Sequence, residues 1–476
     1  MRKTKIVATV GPSCSDEKKL ESLIRAGADV FRVNASHDTP AGIRQWVKKI
    51  RRVEVRVHKP IAILVDLQGP RVRTGKLVKG EAVFLKTGDA VTILETSKPG
   101  TQRLISTSCP QFSKMVKKGD NILLDNGAIE LYVLHVSSKI VECKILRGGK
   151  LGQNKGINLP HAPVTLPALS TKDLKDLKAA VKADVDFIAL SFVRSEKDVL
   201  AAKKVLNSLK SKIPIISKIE KPRAVTGIQP ILNVTDGIMV ARGDLGIEMG
   251  VHKVPFIQKQ LVELANQNRI PVITATQMLE SMMDSPYPTR AEASDIANAV
   301  FDGTDAVMLS GETAIGKYPI EAVQTMAQII LEAEHHVGEK EHSPQIFKHP
   351  SGEQQLIDSI VHAARHAAKD LNAKAIAVFT RTGKTATLLS KYRPVSQIVA
   401  FSQSVHISRM LCLYRGIFPI QIIFAKKIEV TMHKADQIIL KMKLVNLGDP
   451  VVTLSGRKAF PYSRYTTQIH RMGETS

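Results

Sequence analysis

Short runs of apolar residues recur along the chain, and polar or charged residues follow each one. Eight runs have the length of a β-strand, namely Ile6–Val10, Val30–Ala35, Ile61–Leu67, Phe187–Phe192, Ile213–Ile219, Gly237–Ala241, Val272–Ala275 and Ala306–Leu309. They lack strict apolar–polar alternation, which is typical of parallel strands buried on both faces. Helical patterns lie between most of them, for example over Glu17–Arg25, Thr171–Lys182 and Pro255–Asn268. Eight strands alternating with helices predict a (β/α)8 barrel, also called a TIM barrel.

One long segment interrupts this repeat after the third predicted strand. Residues 70–165 are rich in Gly, Thr, Val and Lys, with strand-like pieces at Val91–Leu94, Ile122–Leu124 and Ile129–His135. We interpret the segment as an inserted all-β lid domain. An insertion that follows a barrel strand lies over the catalytic face of the barrel.

The pattern changes again near residue 340. The charged, proline-containing stretch Glu339–Ser351 is typical of a linker, and a predicted helix (Gln354–Leu371) and strand (Ala375–Phe379) follow it. Further strand and helix patterns predict a separate C-terminal α/β domain. The predicted domains are therefore the barrel (1–69 and 166–340), the lid (70–165) and the C-terminal domain (350–476).

Composition narrows the class of protein. The chain has 476 residues, 43% of them apolar, which is ample for more than one domain. Its four cysteines form no CxxC pair, so we expect neither a disulfide framework nor a structural zinc site. Such cysteine usage is typical of proteins in a reducing cytosol. No apolar run is long enough for a membrane helix, so a cytoplasmic location without a membrane partner is predicted. The net charge of +24 comes from dispersed Lys and Arg, and with 4% aromatic residues nucleic acid is not an expected partner.

Ionisable residues stand at the ends of the fifth and sixth predicted strands. Lys218 and Glu220 lie on one side of an extended strand, and Asp244 follows the next strand. The carboxyl ends of barrel strands meet on one face, so the two carboxylates are candidate Mg²⁺ ligands beside a substrate phosphate. Lys218 is placed to stabilise charge on a transferring phosphoryl group or an enolate. The alternative, a salt bridge beside a helix-capping Asp244, is the weaker interpretation, since three such groups are costly without a function.

Polar residues also follow the second and third predicted strands. Alternation places Arg32, Asn34 and Ser36 on one side of the second strand, where Arg32 offers a donor fork to a carboxylate or phosphate. At the end of the third strand and just after it stand three charged residues, namely Asp66, Arg71 and Arg73. Ligand binding and ordinary strand-end contacts are both open for these positions.

The last two predicted barrel strands add hydroxyl and carboxyl groups. Thr276 follows the seventh strand, where its hydroxyl is a candidate to bind a substrate carboxylate or orient a proton-carrying water. Ser310 and Glu312 follow the eighth, and Glu312 is either part of a proton relay or a helix-start carboxylate. Gly243, after the sixth strand, lets the backbone approach a ligand closely.

The strand Ala375–Phe379 in the C-terminal domain runs into hydroxyls, a glycine and two bases at a predicted helix start, namely Thr380, Arg381, Thr382, Gly383, Lys384 and Thr385. Such a loop is a candidate phosphate nest for an effector. A Walker A motif is excluded because it requires glycine where Val378 stands. An ordinary capped helix is the alternative.

Together these motifs resemble the pyruvate kinase family. The matching strings, in the expected order, are Arg32–His37, Lys218–Glu220, Met239–Glu248, Ala275–Met282, Met308–Thr313 and Tyr392–Pro394. The resemblance implies the barrel, an inserted β-barrel lid and a C-terminal regulatory domain. It also implies phosphoryl transfer from phosphoenolpyruvate to ADP, giving pyruvate and ATP, in a homotetramer with a possible sugar-phosphate or nucleotide effector.

The resemblance also implies roles for single residues. Glu220 and Asp244 match the ligands of Mg²⁺ or Mn²⁺, and Lys218 matches the residue that stabilises the transferring phosphoryl group and the enolate. Thr276 matches the position tied to enolate protonation. Positions that match phosphoenolpyruvate contacts are Arg32, Gly243, Asp244 and Thr276. Positions that match ATP contacts are Arg73, Lys155 and Asp125.

The chain departs from the K⁺-dependent members of that family. Leu67 replaces the Thr of their K⁺ site, although three positions match, namely Asn34, Ser36 and Asp66. Arg71 replaces the Glu that follows Gly-Pro, and its fixed charge is expected to take the place of K⁺. We therefore predict activity without K⁺. Ile315 stands where many members carry Lys near the nucleotide, and the stretch from Leu454 to Ser476 matches the effector-loop pattern poorly.

Two other functions stay open at this point. One is a barrel lyase or aldolase in which Lys218 forms a Schiff base, which borohydride would trap. The other is a nucleic-acid-binding protein without catalysis, whose DNA binding would depend steeply on salt. The presence of Lys218, Glu220, Asp244 and Thr276 argues against the second.

Overall fold

Eight parallel strands close into a barrel in the computed structural model, which describes residues 1–160, 166–337, 352–425, 428–456 and 465–474. They are β1 (Lys5–Thr9), β2 (Val30–Asn34), β3 (Ala62–Asp66), β13 (Phe187–Leu190), β14 (Ile215–Ile219), β15 (Gly237–Ala241), β16 (Val272–Ala275) and β17 (Ala306–Leu309). β1 pairs with β17 and closes the barrel. All strand residues except Asn34 and Lys218 are buried, since each side chain faces either the interior or the helices outside.

Helices surround the barrel. They are α1 (Glu17–Ala26), α2 (Pro40–Val57), α3 (Thr171–Lys182), α4 (Glu196–Ser208), α5 (Pro222–Thr226), α6 (Ile228–Leu232), α7 (Arg242–Met249), α8 (Val254–Gln267), α9 (Arg290–Asp302), α10 (Gly311–Ala314) and α11 (Pro319–Val337). Side chains cap several amino termini: Ser170 and Asp173 form a capping box on α3, as Thr289 and Glu292 do on α9. Each cap stabilises its helix by about 1 kcal/mol.

The inserted segment between β3 and α3 is all β. Its strands are β4 (Val72–Arg73), β5 (Val83–Leu85), β6 (Ala90–Glu95), β7 (Leu104–Thr107), β8 (Asn121–Leu124), β9 (Ile129–Ser137), β10 (Ile140–Arg147), β11 (Gly149–Leu151) and β12 (Gly156–Asn158). Seven form a sheet in the order β4-β12-β8-β9-β10-β6-β7, and β5 pairs with β11. The lid has its own apolar core, which includes Ile93, Phe112 and Leu131.

The C-terminal part of the chain is an α/β unit. Its elements are α12 (Glu353–Asp370), β18 (Ala375–Phe379), α13 (Lys384–Lys391), β19 (Gln397–Ser402), α14 (Val405–Leu411), β20 (Ile417–Gln421), α15 (Ile428–Lys441), β21 (Pro450–Ser455) and β22 (Thr466–Arg471), with strand order β20-β19-β18-β21-β22. Buried ion pairs join this unit to the amino-terminal end of the barrel. Lys391 Nζ lies 2.5 Å from Asp305 Oδ2, just before β17. The opposite end of the barrel therefore stays free for the lid.

The predicted fold class is confirmed, and every predicted barrel strand agrees with an observed one to within two residues at each end. The exact domain boundaries stay predictions, and the predicted linker Glu339–Ser351 lies outside the described residues. Among the described helices, none has the length and apolar character needed to cross a membrane.

Candidate active site

The carboxyl ends of β3, β13 and β14 surround one lysine. Lys218 Nζ lies 2.9 Å from Glu220 Oε1 and 3.3 Å from Asp66 Oδ2, and it donates a hydrogen bond to Ser191 Oγ at 2.8 Å. The strand period places Lys218 and Glu220 on one side of the chain. Asp66 reaches the lysine because β13 pairs with both β3 and β14. Sequence positions far apart thus form one charged cluster.

Arg32 adds a second positive charge to this cluster. Its Nη2 lies 2.7 Å from Asp66 Oδ2, and its Nε donates to the same oxygen at 2.8 Å. Burial alone would raise the pKa of Asp66, but the charges of Lys218 and Arg32 outweigh it and hold that pKa below its usual range. Asp66 is therefore an anion that anchors two cations.

Lys218 is protonated at neutral pH. Burial works to lower its pKa, but Asp66 and Glu220 outweigh burial and raise the pKa above the usual lysine value. A protonated amine suits the stabilisation of an anion. It does not suit attack on a carbonyl, which requires the neutral amine, so the structure disfavours the Schiff-base alternative.

Glu220 is a fully buried carboxylate with one incompletely bonded oxygen. Its Oε2 accepts a hydrogen bond from the Phe192 amide at 2.6 Å. Its Oε1 is close to Lys218 Nζ, yet within the part of the chain that the structure describes it accepts no hydrogen bond of good alignment. Burial, and after it the negative charge of Asp244, raises the pKa of Glu220. A buried carboxylate with one oxygen that lacks a well-aligned hydrogen bond is stabilised by a neighbouring cation.

Asp244 lies in the first turn of α7, and its side chain is 24% exposed. Within the described residues, no group of three or more His, Cys, Asp and Glu side chains is arranged to hold a metal ion. Glu220 and Asp244 alone offer too few ligands for a dedicated cage. They do fit Mg²⁺, which is commonly bound by one or two carboxylates together with water and substrate phosphate oxygens.

Thr276 follows β16 and faces the start of α7. Its Oγ1 accepts a hydrogen bond from the Gly243 amide at 2.8 Å and donates to the Ala275 carbonyl at 2.5 Å. The threonine hydroxyl and the glycine amide therefore lie side by side, next to Asp244 in sequence. A Cβ placed on Gly243 would lie 3.5 Å from Thr276 Oγ1, which is an ordinary van der Waals contact, so the two residues are direct neighbours at the rim.

Glu312 is buried after β17. Its Oε1 accepts a hydrogen bond from the Leu279 amide at 3.1 Å, and its Oε2 accepts one from the Ser310 amide at 2.7 Å. Burial raises the pKa of Glu312. The carboxyl group thus links the chain segments that follow β16 and β17. Its part in a proton relay stays a prediction.

The residues predicted to bind a monovalent cation do not all lie on one strand face. The expectation that Ser36 shares a strand face with Arg32 is wrong, because β2 ends at Asn34 and Ser36 lies in a 3-10 turn over Ala35–His37. Asn34 Oδ1 accepts a hydrogen bond from the Ser36 amide at 3.1 Å. Both oxygens of Asp66 have partners, since its Oδ1 accepts from Ser191 Oγ at 3.2 Å.

Arg71 lies at the junction of lid and barrel. Its Nη2 is 3.9 Å from Asp244 Oδ1 and donates to Asn126 Oδ1 of the lid at 2.8 Å. Its guanidinium lies 5.9 Å from the centre of the Phe192 ring, while its Nε is buried and has no hydrogen-bond partner among the described residues. Leu67, 1% exposed, packs in the barrel core. A positive charge therefore stands beside the predicted metal ligand Asp244.

The three residues predicted to contact nucleotide all lie in the lid. Lys155 Nζ forms an ion pair with Asp125 Oδ1 at 3.0 Å, and Arg73 Nη1 donates to the Asn154 carbonyl at 3.1 Å. Burial and the neighbouring Arg71 lower the pKa of Arg73. The lysine side chain is 41% exposed, so it remains accessible to a ligand.

The predicted phosphate nest is a turn ahead of α13. Gly383 has a φ of 81°, in the left-handed region, and its amide donates to Thr380 Oγ1 at 2.9 Å. Arg381, Thr382 and Lys384 are exposed, whereas Thr385 is buried. The later stretch that matches the effector loop poorly lies partly outside the described residues, at 457–464 and 475–476.

Two residues that shape the site, Ser191 and Arg242, are not among the predicted site residues. Ser191 receives the Lys218 hydrogen bond and donates to the Leu67 carbonyl at 2.7 Å. Arg242 is 8% exposed and donates to the Thr276 carbonyl at 2.6 Å. Ser191 follows a barrel strand as the other site residues do, so the same strand-end argument applies to it.

Comparison with known proteins agrees with the geometry. The family described as "Pyruvate kinase, barrel domain" matches residues 1–323, and "Pyruvate kinase, alpha/beta domain" matches residues 358–469. A "Pyruvate kinase" of Staphylococcus saprophyticus is 42% identical over 96% of this chain and 78% of its own length. "Pyruvate kinase 2" of a Synechocystis species is 41% identical over 96% and 76%. The crystal structure of a pyruvate kinase from Cryptosporidium parvum superimposes with a TM-score of 0.92 at 36% identity, covering 99% of this chain and 96% of that one.

Proposed function

The chain belongs to the pyruvate kinase family, and we propose that it transfers a phosphoryl group between phosphoenolpyruvate and ADP at the rim formed by Lys218, Glu220 and Asp244. The reaction is the last step of glycolysis and gives pyruvate and ATP. The observation that supports this assignment of residues is the protonated, buried Lys218 held between Asp66 and Glu220.

Members of this family generally depend on Mg²⁺, and we propose Glu220 and Asp244 as its protein ligands here. The incompletely bonded Oε1 of Glu220 and the partly exposed carboxylate of Asp244 support this choice. When bound, the ion supplies positive charge to the phosphate and carboxylate of the substrate. Mn²⁺ prefers similar oxygen ligands and is expected to substitute.

Lys218 and Arg32 act on the substrate by charge and position. Phosphoenolpyruvate carries negative charge on its carboxylate and phosphate. The substrate carboxylate is assigned to the Gly243 amide and the Thr276 hydroxyl, which on binding would exchange their bonds to Thr276 Oγ1 and the Ala275 carbonyl for bonds to the substrate. Transfer breaks the bond between phosphorus and the enol oxygen and forms a bond to a phosphate oxygen of ADP. Lys218 stabilises the charge on the enolate oxygen that remains.

The enolate must then take a proton at its methylene carbon. We assign this step to water held near Thr276, with Ser310 and Glu312 behind it. The Thr276 hydroxyl is positioned by the Gly243 amide and the Ala275 carbonyl, which supports a fixed rather than rotating group. Proton transfer by positioned groups typically contributes about 10²- to 10⁴-fold to rate.

The nucleotide is assigned to the face of the lid that carries Arg73, Lys155 and Asp125. Two cations at this face suit the phosphates of ADP. Asp125 pairs with Lys155 at 3.0 Å, which restricts the movement of the lysine side chain. In this proposal the lid supplies nucleotide contacts and the barrel supplies the chemistry.

We propose that catalysis does not require K⁺. Arg71 places a guanidinium 3.9 Å from Asp244, and Leu67 offers no side-chain oxygen in the predicted monovalent-cation site. An increase in activity of about tenfold or more on adding K⁺ to a Na⁺ or Tris background would contradict this. An unchanged rate would agree with it.

Assembly, regulation and location are part of the same proposal. Large apolar side chains stand exposed at the start of α8 and before α9, with Val251 at 78%, Phe256 at 76% and Tyr287 at 78% exposure, which favours a homo-oligomer, proposed as a tetramer. The turn Thr380–Thr385 is proposed as the phosphate site of a sugar-phosphate or nucleotide effector. Four buried free cysteines suit a reducing cytoplasm.

The direct test is a coupled assay that follows pyruvate formation from phosphoenolpyruvate, ADP and Mg²⁺. We expect ATP and pyruvate in equal amounts, dependence on the divalent ion, and no requirement for K⁺. Adding sugar phosphates and nucleotides to the same assay tests the effector site. No pyruvate formation with either divalent ion would overturn the proposed function.

A further inference from the structure

Thr276 stands in an unusual backbone conformation. Its φ is 71° and that of Gln277 is 54°, so two consecutive residues other than glycine occupy the left-handed region. For a β-branched residue such as threonine this conformation is a genuine outlier, and it persists only where surrounding contacts enforce it. Something in the barrel rim therefore holds this segment in place.

The guanidinium of Arg242 provides those contacts. Its Nη2 donates to the Thr276 carbonyl at 2.6 Å and to the Gln277 carbonyl at 3.1 Å, and its Nε donates to the Thr276 carbonyl at 3.2 Å. These are the carbonyls of the two residues with positive φ. A planar fork of donors binds both at once, which no other side chain reproduces.

The arginine itself is held from its other side. Its Nη1 donates to both oxygens of Asp295 on α9, at 2.6 and 2.8 Å, and lies 3.4 Å from Gln258 Oε1 of α8. Arg242 is 8% exposed, while the Asp295 side chain is 36% exposed. The guanidinium is therefore a bridge between the helices outside the barrel and the main chain at the rim.

The bridge fixes the position of one hydroxyl. Arg242 is the first residue of α7, directly before Gly243, and the Gly243 amide donates to Thr276 Oγ1 at 2.8 Å. Two residues at the start of α7 thus hold Thr276. Arg242 binds the carbonyl of Thr276, and Gly243 binds the hydroxyl of Thr276. Any loosening of the first contact moves the hydroxyl relative to the substrate carbon.

We propose that Arg242 is a positioning residue for protonation of the enolate, acting through the carbonyls of Thr276 and Gln277. The inference rests on the proposed function and assigns a role to a residue outside the predicted site. In this step the C=C electron pair of the enolate forms the new C–H bond with a proton from water, and a lone pair of the enolate oxygen forms the keto group of pyruvate. The hydroxide that the water leaves takes a proton from solvent. Phosphoryl transfer precedes this step and does not involve Thr276 as a proton carrier.

The two steps are measured separately. Exchange of the methyl protons of pyruvate for solvent deuterium, followed by NMR with Mg²⁺ and ATP present, reports enolate formation and its reversal. ATP formed in a single turnover from phosphoenolpyruvate and ADP, followed by rapid quench, reports phosphoryl transfer. The variant is Arg242→Lys, which keeps the charge beside Asp295 and loses the fork.

Arg51→Lys is the matched control. Arg51 also donates to a main-chain carbonyl and a carboxylate, at 2.7 Å to the Ile61 oxygen and 2.7 Å to Asp186 Oδ2, and its side chain is 16% exposed. It lies at the amino-terminal end of the barrel, away from the rim. Each variant replaces a guanidinium that donates to a main-chain carbonyl and a carboxylate by a single amine, and the two sites lie at opposite ends of the same barrel.

We expect proton exchange to fall by about tenfold or more in Arg242→Lys, while single-turnover ATP formation at saturating phosphoenolpyruvate changes by less than about threefold. Arg51→Lys should leave the ratio of the two rates unchanged. Equal losses in both steps, an unchanged exchange rate, or the same ratio in Arg51→Lys would each overturn the inference. A wild-type protein that forms no ATP would instead overturn the proposed function.

A second variant covers the case in which Arg242→Lys does not fold. Asp295→Asn leaves Arg242 in place and weakens only its anchor on α9, at a partly exposed position. We expect slower proton exchange, by about threefold, and faster hydrogen exchange of the amides that follow β16. Exchange rates equal to those of the wild type in both measurements would contradict the bridge.

Discussion

Replacement of Lys218 by Met is the sharpest perturbation of the proposed chemistry. The substitution removes the amine, keeps an unbranched side chain that is one atom shorter, and leaves Asp66 paired with Arg32 at 2.7 Å. The amine now lies within 3.3 Å of two carboxylates, and a substrate oxygen beside it would lie at a similar distance. At an effective dielectric constant near 20, a charge pair about 4 Å apart is worth about 4 kcal/mol.

That energy corresponds to about a thousandfold in rate if it acts only in the transition state, since about 1.4 kcal/mol is tenfold. We therefore expect kcat of Lys218→Met to fall by about 10³ in the coupled assay, with a smaller change in KM. The control is Lys391→Met, another buried lysine paired with an aspartate, Asp305, at the far end of the barrel. It should lower Tm and leave kcat within about threefold.

Two results would refute the reasoning. A kcat of Lys218→Met within about tenfold of the wild type would remove the amine from the transition state. Equal losses of kcat in the two lysine variants would show that the effect comes from unfolding or general distortion. Circular dichroism and Tm for both variants, measured in the assay buffer, separate these cases.

Two further predictions follow from the contacts around the site, and a third concerns a lysine near the opposite, amino-terminal end of the barrel. Lys155→Ala should raise KM for ADP by about tenfold and leave KM for phosphoenolpyruvate unchanged, and a change confined to phosphoenolpyruvate would contradict the assignment. Joint replacement Leu67→Thr and Arg71→Glu should convert the enzyme to one stimulated about tenfold by K⁺, and a variant indifferent to K⁺ would argue against Arg71 as its substitute. Burial, and after it Arg415, lowers the pKa of Lys3 to about 8. Between about pH 8 and about 10.5, the usual lysine pKa, Lys3 binds more protons in the unfolded chain than in the folded one. The free energy of unfolding of the wild type, relative to that of Lys3→Met, should therefore rise with pH over this interval. A fall in this interval would contradict the lowered pKa of the amine.

Much of the barrel is predictable from the sequence because its strands are continuous apolar runs. The bounds of β15, β16 and β17 match the predicted runs at both ends. The strand period places Lys218 and Glu220 on one side of β14, and their amine and carboxylate lie 2.9 Å apart. Local pattern is sufficient for features of this kind, since both partners belong to one strand.

Contacts between distant strand ends are harder to predict. The resemblance implies a monovalent-cation role for Asp66, which stays a prediction, but no pattern in the sequence indicates that its carboxylate pairs with Arg32 and Lys218, two residues from other strands. Arg242 belongs to a matching motif, yet its partners at Thr276 and Asp295 lie 34 and 53 positions away. A single sequence has no pattern that pairs such positions. Only the register and closure of the barrel bring them together.

The central claim, that the ends of β14 and β15 hold a divalent ion beside Lys218, is tested most directly by anomalous diffraction. Crystals grown with Mn²⁺ and an unreactive analogue of phosphoenolpyruvate locate the ion without reference to activity. We predict one anomalous peak within about 2.3 Å of oxygens of both Glu220 and Asp244, with the analogue completing its coordination next to the Lys218 amine. A peak elsewhere, with these two carboxylates free of metal, would contradict the account.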